Sequence, residues 1–223
     1  MMPPQRVIWG GQSLLRVQLD AIRLALHMNA SWQQFINLSG QCYPLMSQAA
    51  IGRALDRNGP DRNYLEVLDY ANCSPKIRPR TRHFHVEWGN RLIRLPFLHR
   101  RPSDLRLFWG SNFVTLSRDF CRFLLTDPLA GNCRKYLKYV KLPEEFFFQT
   151  VLMNSSFAAT VVRDPRRKIT WDGGSHPRVL TLMELPVLLA SGAFFARKFD
   201  DAIDTAVLDA IDRERLAPRA AAG

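Results

Sequence analysis

Strand-like and helix-like segments alternate along the whole chain, and this interleaving constrains the fold more than any other feature. Residues 7–11, VIWGG, read as a short strand running into a glycine turn. Leu15, Leu19, Ile22 and Leu26 then recur at helical spacing through LLRVQLDAIRLALHM, with Ser13 placed to cap that helix. FINLSG is a compact apolar strand ending in turn residues, and YLEVLDY and HFHVEW read as further strands. LFWGSNFVTLSRDFCRFLL combines a strand with a helix opening at Ser117. PEEFFFQTVLMNS starts as helices favour, with Pro143 in the first turn and Glu144 and Glu145 near the positive end of the dipole. In TLMELPVLLASG, Thr181 and Glu184 form a capping-box pattern and Gly192 marks a stop. DAIDTAVLDAIDRERL gives a last helix, and the Ala-rich end leaves residues 214–223 as a frayed tail. With no long linker and no internal repeat, the pattern predicts a single α/β domain over residues 1–223.

Composition supports a folded chain: 47% of the 223 residues are hydrophobic, 11% aromatic and 23% charged, far from the disordered regime. The net charge of +11 implies an anionic partner: nucleic acid, a phosphate-bearing ligand or an acidic membrane surface. Solubility in a basic proteome is the plainer explanation of the same number. Cys42, Cys73, Cys121 and Cys133 form no CxxC and no zinc-finger spacing, so no structural metal is expected, while disulfides stay open. No apolar run is long enough to span a bilayer, and the start lacks the apolar stretch of a signal peptide. As it stands the chain reads as soluble and cytoplasmic, with membrane association only through an anchor further upstream.

The common phosphate-binding and catalytic signatures are missing. Neither GxGxxG nor GxxxxGK[ST] can be read, and GxSxG, HExxH and kinase-like motifs are absent. A nucleotide ligand would have to be held by other means. Glu144 and Glu145 precede FFFQT. Acids at a helix start suit the dipole and cap backbone N–H groups. A carboxylate beside three phenylalanines can also be desolvated enough to accept a proton from a hydroxyl. Trp171, between RDPRRKIT and DGG, either packs on a core or offers a flat face to a sugar or base. Arg178, Arg197 and Lys198 lie near element ends, where converging cations can neutralise a leaving diphosphate and where isolated ones are surface charge. The stretch from Cys73 to Arg106 holds nine Lys and Arg residues against Glu87 and Asp104, the composition of a solvated loop face.

Taken in order, WGGQSLLRVQLDAIR, WQQFINLSGQCYPL, WGSNFVTLSRDF, LPEEFFFQTVLMNSSF, ITWD, HPRVLTLMEL and FFARKFD resemble glycosyltransferase family 14. That family comprises the core-2/I-branching β-1,6-N-acetylglucosaminyltransferases and the peptide O-xylosyltransferases. The resemblance covers nearly the whole chain, with FINLSGQ-Y-P and FFARKF its most specific members. It implies a GT-A-like, Rossmann-like α/β fold. It also implies inverting transfer of a sugar from a UDP-sugar to a glycan or peptide acceptor, with no metal cofactor and no nucleic acid partner.

The residues follow from the same resemblance. The family's base lies five positions before the Thr of its F-F/W-x-T helix, which maps to Glu145 and leaves Glu144 as the capping acid. The basic pair of FFARKFD maps to diphosphate contacts at Arg197 and Lys198, and the H-x-R stretch adds Arg178. Trp171 matches a tryptophan lining the sugar site, and Glu66 an acceptor-binding glutamate. Asn112 and Phe113 stand where xylosyltransferases carry an acidic-aromatic pair, which leaves the acceptor contact there open. HPRVLTL is closer to the branching enzymes and WGGQSLL and FFARKFD to the xylosyltransferases, so GlcNAc and xylose both stand as donor sugars. Members also carry a stretch ahead of WGG that supplies the first strands and much of the uridine pocket. The domain is therefore expected to be N-terminally incomplete, with an exposed sheet edge. The competing reading is a non-catalytic basic module for anionic ligands or nucleic acid, though no helix-turn-helix, RRM or zinc-finger pattern supports base recognition.

Overall fold

The computed structural model describes residues 3–28, 31–174 and 176–216, so the tail from residue 217 onward lies outside the described residues. They pack as two compact units, Met1–Asn37 with Asp61–Pro165, and Leu38–Pro60 with Arg166–Gly223. Helices α1 (Gln12–His27) and strand β1 (Gln34–Ile36) open the first unit, while β2 (Tyr43–Pro44) and α2 (Gln48–Asn58) belong to the second. The first unit resumes with β3 (Asn63–Tyr64), β4 (Leu68–Asp69), the short α3 (Arg78–Arg82), and the hairpin of β5 (His83–Trp88) and β6 (Arg91–Leu98). It continues through β7 (Phe108–Trp109), β8 (Thr115–Ser117), α4 (Arg118–Thr126), α5 (Pro128–Leu137), α6 (Glu144–Met153) and β9 (Val161–Val162). The second unit finishes with β10 (Arg167–Ile169), α7 (Leu185–Ala190), β11 (Phe195–Arg197) and α8 (Ala206–Ile211).

Both units are mixed α/β. The first holds a four-stranded sheet in the order β1-β8-β3-β9, in which β3 and β9 run parallel and the other pairs antiparallel. The second holds β10-β11-β2, with β10 and β11 parallel and β2 antiparallel. The core of the first unit gathers Leu15, Leu19 and Ile22 of α1, Phe120 of α4, and Phe146, Phe147 and Phe148 of α6. Each fully buried phenylalanine is worth about 2–3 kcal/mol by removal from water. The core of the second unit is smaller and includes Leu45, Leu180, Leu188, Phe199, Val207 and Ile211. Among the described residues no helix is long and apolar enough to cross a membrane.

Several sequence expectations meet a different structure. VIWGG is a turn rather than a strand: the Ile8 N–H is taken by Ser13 Oγ at 2.8 Å, and no ladder is needed to satisfy it. Ser13 is therefore buried inside α1 and does not cap it. The cap comes instead from the hairpin, where Glu87 Oε1 accepts the Ser13 N–H at 2.6 Å. That approach requires Gly11, because a Cβ there would stand 2.1 Å from the same oxygen.

YLEVLDY breaks into β3 and β4 because Tyr64 and Leu65 are both buried, which ends the alternation of a single half-buried strand. The Cys73–Arg106 stretch, read as a solvated loop face around the HFHVEW strand, also carries α3 and β6, which pairs with β5. Its period-2 pattern at HFHVEW outweighs its charge, and Arg91 and Arg94 sit on exposed positions of the ladder. The last helix begins only at Ala206, because Asp200 turns the chain at Ala202 and Asp204 Oδ1 accepts the Val207 N–H at 3.3 Å. A helical turn, Asp212–Leu216, extends it.

Candidate active site

The acid pair sits at the start of α6, and the chain enters that helix under tight backbone control. Leu142, at φ 56°, turns the chain into Pro143, and its N–H donates to the Gly10 carbonyl at 2.7 Å, which ties the WGG turn to the helix entrance. Thr150 clamps β7 in both directions: its Oγ1 accepts the Phe108 N–H at 3.1 Å and donates to the Phe108 carbonyl at 3.0 Å. Just beyond β7, the Gly110 N–H donates to the Glu145 carbonyl at 2.9 Å. Gln149 Nε2 donates to the Ser111 carbonyl at 2.8 Å. Glu66 Oε2 in turn accepts the Ser111 N–H at 2.9 Å. Gly110 is required here, since a Cβ would lie 2.1 Å from the Glu66 carbonyl oxygen.

Glu144 and Glu145 have separate environments. Glu144 is 1% exposed, and its Oε2 has no hydrogen-bond partner. The carboxyl meets its own backbone N–H, as the capping reading expects, but does so from inside the core. Burial pushes its carboxyl up to about 8, against a weaker opposing pull from its own backbone N–H, so it is neutral at pH 7. The Glu145 side chain retains 25% exposure and forms an ion pair with Arg80 at 2.5 Å. Burial raises its pKa, the Arg80 guanidinium holds it back, and the nearby charge of Glu66 pushes it up further; the net shift is upward. The first unit thus brings Glu145, Glu66 and Arg80 into one group.

The second unit collects the other predicted residues. Phe194, Phe195 and Phe199 are buried, while Arg197 and Lys198 are half-buried. Strand β11 ends at Arg197, so the strict alternation of faces does not govern Lys198. The backbones of Arg178 and Lys198 are hydrogen-bonded to each other, and the Arg178 N–H donates to the Thr170 carbonyl at 2.8 Å, which places Trp171 beside them. Trp171 is 57% exposed. Arg178 is already engaged: Glu184 Oε1 lies 2.7 Å from its Nη2 and Asp172 Oδ2 3.9 Å from its Nε. Glu184 is the acid of the expected capping box, which forms, with its Oε2 accepting the Thr181 N–H at 2.8 Å.

Sequence reasoning missed Arg80, Ser111 and Gln149 in the first group and Arg167 in the second. Arg80 lies 65 positions from Glu145 inside a run read as surface charge, and no spacing rule links the two. Arg167 faces the charge of Arg197; burial first, and that repulsion second, bring its pKa down to about 10. Its one sequence signal was the basic run before Trp171. Asn112 and Phe113 have structural work: the Asn112 carbonyl accepts Asn37 Nδ2 at 2.7 Å, and Phe113 is buried. Among the described residues no three His, Cys, Asp or Glu side chains converge as metal ligands.

Comparison with known proteins gives this geometry a context. The model of the Core-2/I-branching enzyme family matches residues 1–186. Human xylosyltransferase 2 is 30% identical over 226 residues, covering 92% of this chain and 26% of its own. The β-glucuronosyltransferase GlcAT14A of Arabidopsis thaliana is 30% identical over 221 residues, covering 94% of this chain and 48% of its own. A xylosyltransferase of Ciona intestinalis is 28% identical over 223 residues. The chain spans about a quarter to about half of the length of these relatives.

Proposed function

The chain belongs to the Core-2/I-branching enzyme family of glycosyltransferases, and from that premise we propose that it moves a sugar from a UDP-sugar to an acceptor hydroxyl, with inversion and without a metal cofactor, on a GT-A-like fold. The observation that carries the reading is the Glu145 carboxylate. It is partly desolvated, reachable from solvent and fixed by Arg80 next to Glu66. A base of this kind must be ionised yet retain proton affinity, and a raised pKa held in check by one guanidinium meets both needs.

Glu145 takes the proton of the acceptor hydroxyl as its oxygen attacks the anomeric carbon from the face opposite the UDP. Glu66 orients the acceptor: its Oε2 is spent on the Ser111 N–H, leaving Oε1 for a hydroxyl. In the second unit, Arg197 and Lys198 neutralise the departing diphosphate, with Arg178 contributing less because Glu184 already offsets its charge. Trp171 offers its exposed face to a sugar ring. The named relatives include xylosyl- and glucuronosyltransferases, so the donor range to be tried is xylose, glucuronic acid and N-acetylglucosamine.

The test is Glu145→Gln assayed with each UDP-sugar. Transfer is expected to fall about 10²–10⁴-fold while UDP binding is retained. A variant transferring at the normal rate would remove Glu145 from the role of base. Transfer that stops on adding a chelator would remove the cationic mechanism.

A further inference from the structure

A second group of cations in the first unit shares only Arg80 with the chemistry above. Trp9, Lys76, Arg80, His85, Arg91 and Lys141 are among the residues that line an open cleft of about 630 Å³, and Arg94 joins them from β6. Five of these seven side chains are Lys or Arg. Among the described residues only one, Arg80, has a carboxylate within ion-pair distance, and that carboxylate is Glu145. An uncompensated cluster of this kind in a concave site attracts an anion and fixes its position. We infer that this cleft binds the anionic group of a carbohydrate acceptor, a carboxylate or phosphate carried on a sugar, and so presents a neighbouring hydroxyl to Glu145.

The remaining lining favours a sugar over an extended peptide. Trp9 is 69% exposed, and Lys141 Nζ lies 5.2 Å from its ring centroid, so a flat aromatic face and a cation adjoin. That combination suits a ring that is apolar on its C–H face and charged at its rim. Burial lowers the pKa of His85, against the pull of the His83 carbonyl and with the help of the Lys141 charge. Its Nδ1 lies 2.9 Å from the His83 carbonyl, which fixes the ring at the wall of the cleft. Arg80 links the cleft to the reaction, since it lines the cleft and holds the base. Lys141 is backed by the same segment, its N–H donating to the Arg80 carbonyl at 3.0 Å.

The inference rests on Glu145 acting as the base, and the experiment separates the two. Calorimetric binding and transfer are measured with a uronate-terminated disaccharide, its uncharged methyl ester, and the 6-phosphate of the matching neutral disaccharide. The uronate and phosphate arms distinguish the two sources of negative charge, and a glutamate-rich peptide is the competitor. The protein is compared with Arg91→Gln/Arg94→Gln, both exposed positions whose folding is checked by circular dichroism.

At least one anionic disaccharide is expected to bind about tenfold or more tightly than the ester, with salt weakening it. The double variant should bring the anionic and neutral affinities together and abolish the rate preference between them. Equal binding of uronate, phosphate and ester by the unaltered protein overturns the inference, as does tighter binding of the peptide than of any sugar. If anionic sugars bind selectively but nothing is transferred, the cleft stands and the enzymatic reading falls. If transfer occurs without preference for charge, the reverse holds.

Discussion

The acid pair of α6 and the basic pair at the end of β11 look alike on paper: two like charges, side by side, among phenylalanines. The structure treats them differently. On a helix, adjacent side chains diverge by about 100°. Glu144 consequently points into the core and loses its charge, while Glu145 reaches Arg80 and keeps access to solvent. On β11 the strand stops at Arg197, and both cations remain half-buried. The helix therefore sorts its pair into one buried and one solvent-reaching acid, whereas the strand end leaves both cations half-buried.

The contrast can be broken most severely at the acids. Glu145→Gln should cost about 10²–10⁴-fold in kcat, while Glu144→Gln should leave kcat near that of the unaltered protein. Equal losses in two folded variants would mean that the helix does not sort them. The next effect lies in stability. The folded-state pKa of Glu144 is raised, so its contribution is fully present below the ordinary carboxylate value and is lost as pH rises through about 8. Across that window the protein should lose about 1.4 kcal/mol per pH unit through this group. Urea unfolding from pH 5 to 9 should show the slope in the unaltered protein and a shallower one in Glu144→Gln. Parallel slopes would place the group outside the core.

On the basic side, Lys198→Met should weaken UDP binding about tenfold, equivalent to about 1.4 kcal/mol. Arg178→Met should do less, since Glu184 already balances that charge. Titration of UDP against both variants ranks them, and a larger loss at Arg178 would reverse the assignment. The smallest expected change is a displacement of the pH profile. Arg80 lowers the pKa of Glu145, so Arg80→Gln should move the acidic limb of kcat to higher pH. A limb that moves to lower pH, or stays put, would mean that Glu145 does not set it.

What the sequence made legible was local. HFHVEW became β5 at the expected residues, Leu15, Leu19 and Ile22 are buried along α1, and the Ser117 cap and the Thr181–Glu184 box both form. Each rests on contacts within a few positions of the chain. The errors arose where distant partners decide the outcome. Ser13 lost its cap role to Glu87, 74 residues away. YLEVLDY broke into two strands, and the Glu66 carbonyl between them packs against Gly110. Within the candidate site, the family resemblance singled out Glu145 by its place five positions before Thr150. Arg80 could not be found that way, because only the folded chain brings it to Glu145.

Gly110 has a wider consequence. Through it, Glu145 and Glu66 are joined main chain to main chain: its N–H holds the Glu145 carbonyl and its missing side chain admits the Glu66 carbonyl. The spacing between the two acids is thus written into the path of the chain, and surrounding side chains can be exchanged without disturbing it. Side chains on the surface around them can change without moving these two carboxylates, while a single methyl group at position 110 would displace both.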